Sequence, residues 1–108
     1  MSYRVEEYLR PDGSSPYGRW FDGLPAPAAA KVVIGVARLA AGNTSNVRWF
    51  GGIGELRFDF GPGYRVYLLA DGPGLIVLLG GGTKQRQQRD ITRALQWRQE
   101  YRSRKRKE

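Results

Sequence analysis

The stretch Glu55-Leu56-Arg57-Phe58-Asp59-Phe60 decides how this chain folds, because it alternates charged and apolar residues without a break. Successive side chains of a β-strand point to opposite faces. Leu56, Phe58 and Phe60 therefore share one face, and Glu55, Arg57 and Asp59 share the other. Gly61-Pro62-Gly63 carries turn chemistry, and Tyr64 to Ala70 reads as the next strand. Asp71-Gly72-Pro73-Gly74 is a second turn. Leu75 to Leu79 is apolar at every position, the mark of a strand covered on both faces. It is expected at the centre of the sheet, with Gly80-Gly81-Gly82 closing the β pattern.

Upstream, Val47 to Phe50 is a short apolar run leading toward these strands. Tyr3 to Leu9 predicts a first strand, ended by the turn Pro11-Asp12-Gly13. Ser15 followed by Pro16 predicts a helix start, with Trp20, Phe21 and Leu24 on its core side. Pro25 and Pro27 open a second helix that runs to about Ala41 and closes at Gly42-Asn43. Lys31, Gly35 and Arg38 share one stripe of it, and the rest is Ala, Val, Ile and Leu, so it is expected to lie largely buried on the sheet. Downstream, a helix from about Gln87 to Arg102 carries its apolar stripe on Ile91, Ala94, Leu95 and Tyr101, with Trp97 at the edge. Residues 102–108 are expected to fray as a basic tail. The sum is one α+β domain over residues 1–108. Its order is strand, helix, helix, three strands, helix, with an antiparallel sheet and the helices packed on one face.

Composition narrows the chemistry. The 108 residues are 41% hydrophobic and 26% charged, a globular balance, and can bury one modest core. Arg4, Glu6 and Glu7 interrupt the start, and the longest apolar run, Ala26 to Ala41, holds Lys31 and Arg38. No membrane segment and a soluble, cytoplasmic protein are expected from these features. There is no cysteine and no histidine, which excludes disulfides, thiolate catalysis, and the commonest general base and metal ligand. Catalysis, if any, rests on carboxylates, Tyr, Lys, Arg or backbone groups, with no metal and no cofactor expected. Net charge is +8, from 18 Lys and Arg against 10 Asp and Glu. Such a field attracts polyanions, either nucleic acid or an acidic protein.

Strand alternation locates candidate site residues. If Leu56, Phe58 and Phe60 face the core, then Arg57 turns outward between Glu55 and Asp59. Burying Val66 and Leu68 on the next strand turns Arg65 and Tyr67 to the same outer face. Lys84 falls where the chain leaves the sheet, so Arg57, Arg65 and Lys84 are expected to converge on an open, helix-free surface. Arg86, Arg89 and Arg93, with Arg104, occupy the sector of the last helix opposite its apolar stripe. They form either a solvated helix face or a contact surface for nucleic acid.

Several of these residues carry a family likeness. Glu55-Leu56-Arg57, Gly63-Tyr64-Arg65-Val66-Tyr67, the apolar strand and Gly81-Gly82-x-Lys84 together resemble the core of toxins of the RelE/ParE superfamily. Gln88-x-Asp90-Ile91-x-x-Ala94 is similar to the phage-derived, HigB-like branch of addiction-module killer proteins. The resemblance implies a RelE-like fold and the toxin of a toxin–antitoxin pair. It implies a ribosome-dependent endoribonuclease that cuts messenger RNA without a metal and halts translation. RNA brings its own nucleophile, the 2′-OH, so the protein has only to align it, neutralise the phosphorane and protonate the leaving oxygen.

On that likeness Arg65 would contact the scissile phosphate, Arg57 would assist, and Lys84 would orient phosphate or take part in proton transfer. Tyr64 or Tyr67 would stack on a base, with strand parity favouring Tyr67, and Glu55 is a positional candidate for the base. The chain departs from the RelE pattern in carrying Glu55 and Asp59 where lysines are dense, and Gln85, Arg86 and Gln87 after Lys84. Implied partners are a helix-turn-helix antitoxin, messenger RNA and the ribosome, with promoter DNA reached only through the antitoxin. A ParE-like inhibitor of DNA gyrase and a non-catalytic nucleic-acid-binding module are the alternatives.

Overall fold

Helix initiation at Ser15 follows the sequence: its hydroxyl oxygen accepts a 2.9 Å hydrogen bond from the Gly18 N–H. In the computed structural model, which describes residues 1–107, that helix is α1 (Pro16–Asp22), preceded by β1 (Arg4–Glu7) and followed by α2 (Ala26–Ala40). Then come β2 (Val47–Phe50), β3 (Ile53–Phe58), β4 (Tyr64–Asp71) and β5 (Leu75–Thr83). A short 3-10 turn at Lys84–Arg86 leads into α3 (Gln87–Lys107). The fold is α+β, with one five-stranded sheet in the order β1-β5-β4-β3-β2.

Four features of the sheet and its cover correct the expectation. First, the sheet is mixed, because β1 runs parallel to β5, pairing Arg4–Glu7 with Leu75–Leu78. A parallel pair needs a long crossover, and here both early helices and three strands separate the partners. Second, Val47–Phe50 is a strand in its own right, joined to β3 by a two-residue turn. Gly51 and Gly52 have φ of 60° and 86°, the left-handed pair that such a hairpin demands.

Third, β5 continues through its glycines to Thr83, with a bulge at Tyr67/Leu68 in its pairing to β4. Glycine here serves space, not turning. A Cβ on Gly81 would overlap the Trp20 indole from α1, and one on Gly80 would come within 2.8 Å of the Trp97 ring from α3.

Fourth, the helices do not share one face. α1 and α2 cover a core of Val32, Leu39, Leu56, Val66, Leu68 and Leu78. α3 covers the opposite face, with Ala94 and Ile91 over Tyr67, Leu69, Val77 and Leu79. The physical reason lies in β5 itself. A strand apolar on both faces needs cover on both, and α3 is the one remaining amphipathic segment.

The tail is helical to Lys107. Arg104 Nη2 donates to the Leu9 carbonyl, with the guanidinium 5.0 Å over the Tyr8 ring. Lys105 pairs with Asp71, which also accepts a 2.5 Å hydrogen bond from the Tyr101 hydroxyl. α2, by contrast, buries only Ala28, Val32 and Leu39, leaving Val33 and Ile34 54% and 52% exposed. A helix that is apolar around its circumference still offers only one stripe to a sheet. Among the described residues, no helix is long and apolar enough to cross a membrane.

Candidate functional site

Register brings the predicted residues together. In the β3–β4 ladder Arg57 stands directly opposite Arg65, and Glu55 directly opposite Tyr67. Opposed residues of an antiparallel pair share a face, so all four lie on the same one. Lys84 closes the group from the end of β5, its N–H donating 2.9 Å to the Gly63 carbonyl. A Cβ built on Gly63 would lie 3.2 Å from Lys84 Cβ and 3.6 Å from Arg65 Nη1. Arg65 and Lys84 therefore flank the same turn.

The surface itself is not the open one expected. α3 crosses it, and Glu55, Tyr67 and Arg65 are 0%, 1% and 4% exposed. Arg57 and Lys84 remain exposed at the rim. Two arginines opposed in a ladder repel each other, and Glu55 resolves the conflict. Its Oε1 accepts from Arg57 Nε at 2.8 Å, and its Oε2 accepts from Gln87 Nε2 at 2.8 Å. Arg65 Nε lies 4.0 Å from the same Oε2. Burial alone raises the Glu55 pKa, but the hydrogen bonds from Arg57 and Gln87 hold it below the ordinary glutamate value. The hydrogen bond to Glu55, and its charge, in turn raise that of Arg57. An ionised carboxylate with both oxygens engaged is poorly disposed to accept a proton. Glu55 is thus a clamp on the arginines, and its candidacy as general base falls.

The two tyrosines lie on opposite faces of the sheet, and Tyr67 offers no open face to a base. Tyr67 is packed beneath α3, its hydroxyl beside the Glu55 carboxylate that stands opposite it in the ladder. Burial, followed by the charge of Glu55, pushes its pKa up, so it stays a neutral phenol. Tyr64 sits on the other side of the sheet, opposite Phe58, with ring centroids 6.4 Å from Trp20 and 6.2 Å from Phe60.

Arg86, Arg89 and Arg93 are exposed and line a second concavity of about 320 Å³ beside the glycine stretch of β5. Its lining also includes Trp20, Trp97 and Asp90, which sequence reasoning had assigned to no site. The available signals were three glycines in succession and, in the first turn of a helix crowded with arginine, one of its two carboxylates. Burial raises the Asp90 pKa, against the lowering influence of Arg89, Arg93 and Arg86. Among the described residues, no group of three or more carboxylates is placed to hold a metal ion.

No protein-family model matches the chain. It is 44% identical over 68 residues to a protein of Haemophilus influenzae described as uncharacterized, a span covering 62% of this chain and 69% of that one.

Proposed function

We propose that this chain, which belongs to the same family as the Haemophilus influenzae protein, is the toxin of a toxin–antitoxin pair with a RelE-like fold. Its activity is ribosome-dependent, metal-independent cleavage of messenger RNA. One observation carries the proposal: the ladder opposes Arg57 to Arg65 and the Gly63 turn seats Lys84 beside them. Three cations grouped about one turn suit an in-line attack by the 2′-OH, where charge builds on the phosphorane oxygens. Because α3 covers the sheet, the RNA backbone meets this group at the rim near the β3–β4 turn. Arg57, its side chain 41% exposed while Nε is held by Glu55, offers the rest of its guanidinium to phosphate. Arg65 adds charge from beneath, and Lys84 supplies a mobile ammonium for orientation or proton transfer. A helix-turn-helix antitoxin with an acidic contact surface would neutralise the +8 chain, and the complex would reach promoter DNA through that partner.

Induction of the wild type should arrest growth and yield codon-spaced breaks in primer extension on messenger RNA. Arg57→Ala and Lys84→Ala, both at exposed positions, should each relieve the arrest, with cleavage reduced about a hundredfold or more. Variants as growth-inhibiting as the wild type would remove the proposal.

The burial of Arg65 and Tyr67 favours a second reading, a ParE-like inhibitor that binds gyrase and cuts nothing. DNA breaks with intact transcripts distinguish it.

A further inference from the structure

The outer edge of β5 is covered only in part. β1 pairs with Leu75–Leu78 and then turns away, while β4 holds the opposite edge throughout. Gly80–Thr83 therefore presents an unpaired strand edge, and three of these residues have no side chain. Their bareness lets three groups close in. Trp20 packs at Gly81 from the α1 side, Trp97 packs at Gly80 from the α3 side, and the Asp90 carboxylate occupies the space a Cβ on Gly82 would need.

The cavity formed there has a volume of about 320 Å³, at the small end of ligand sites and of a size for one nucleoside. Two of its polar groups are buried and open to a further partner: Asp90 Oδ2, which has none, and the Tyr67 hydroxyl, on a residue 1% exposed, which has only the Glu55 carboxylate beside it. Unpaired buried groups are costly, and these two offer an acceptor and a phenolic O–H to whatever enters. The arginines of α3 and of the turn before it line the mouth.

We propose that this cavity receives one nucleobase of an unpaired nucleic acid strand. Asp90 accepts from an amino or imino N–H on the base edge, and the Tyr67 hydroxyl donates to the acceptor beside it. The indoles supply apolar and π surface, as aromatic side chains do for splayed bases. Arg86, Arg89 and Arg93 bind the flanking phosphates, which the Asp90 carboxylate excludes from the interior. The competing occupant is an extended acidic peptide added to the strand edge. That same carboxylate opposes it. The inference deepens the RNA-directed reading but does not depend on cleavage, since free nucleotides need neither a ribosome nor a scissile bond.

The test uses indole fluorescence of the full chain in a Trp49→Phe background, which removes the third, exposed tryptophan. The four 5′-mononucleotides and ribose 5-phosphate are titrated separately. At least one nucleotide should bind about tenfold more tightly than ribose 5-phosphate. Asp90→Asn, nearly isosteric, should change the ranking among bases by about tenfold. Arg89→Ala should weaken all nucleotides alike. Equal affinity for ribose 5-phosphate and nucleotides would reduce the site to a phosphate patch. An unchanged ranking in Asp90→Asn would remove its role. Saturation by a short polyglutamate peptide, with no response to nucleotides, would assign the edge to a protein partner. Loss of RNA cleavage with nucleotide binding intact would overturn the nuclease reading and leave this one standing.

Discussion

Glu55, beneath α3, and Asp90, in the first turn of α3, are two carboxylates whose surroundings drive them in opposite directions. Glu55 is held ionised by Arg57 and Gln87, so its pKa is lowered. Its stabilising contribution is complete above the ordinary glutamate range and is lost as pH falls through the depressed value. Glu55→Ala should cost about 3 kcal/mol in urea unfolding, because it leaves Arg65 buried with no counter-charge. Asp90 has the reverse sign. Its raised pKa means the native state binds the proton more tightly than the unfolded one, so ionisation costs stability as pH rises through the folded value. Asp90→Asn should therefore raise the melting temperature at neutral pH, and the gain should shrink as pH is lowered through that value. A third residue-scale expectation concerns Gly81. Gly81→Ala forces a methyl into the Trp20 indole and should destabilise by about 2 kcal/mol, as overpacking does. Strand parity told which face Glu55, Arg57, Arg65 and Tyr67 share. It did not tell that the face is covered, since alternation separates two faces without saying what lies on either.

At the scale of elements, the least legible feature was the position of α3. Its apolar stripe was plain, but a stripe of Ile91, Ala94 and Tyr101 fits either face of a sheet. The deciding information was spread over Leu69, Val77 and Leu79 on two strands, which require cover on the second face. The parallel pairing of β1 was hidden for a similar reason, because a strand of four residues carries no mark of its neighbour's direction. The last turns of α3 read as a fraying charge run, yet Asp71 accepts from Tyr101 and pairs with Lys105. Such long-range anchors leave no trace in local composition. Asp71→Asn should speed amide hydrogen exchange across residues 101–107 while shifting global stability by no more than about 1 kcal/mol, the scale of an exposed pair. Unchanged protection there would show that Arg104 on Leu9 and Tyr8 suffices to hold the tail.

Across the whole molecule, the net charge of +8 was legible from composition, but its distribution was not. Glu55 and Asp71 are paired with cations on the α3 side of the sheet, and Asp90 packs at Gly82 there. Yet Arg57, Lys84, Arg86, Arg89 and Arg93 remain exposed around its rim. α2, on the other side, presents Lys31 and Arg38 among exposed apolar residues. A field arranged in this way should attract a single strand chiefly to the rim of α3. Binding of a single-stranded RNA falls with salt by a slope of about 0.7 per phosphate neutralised. Replacing Arg86, Arg89 and Arg93 together by alanine should then flatten the log–log slope by about 2, through the loss of up to three phosphate contacts. Replacing Lys31 and Arg38 should leave the slope unchanged. Equal flattening by both sets would mean that the strand reads only net charge, and that the glycine-lined cavity takes no part in holding it.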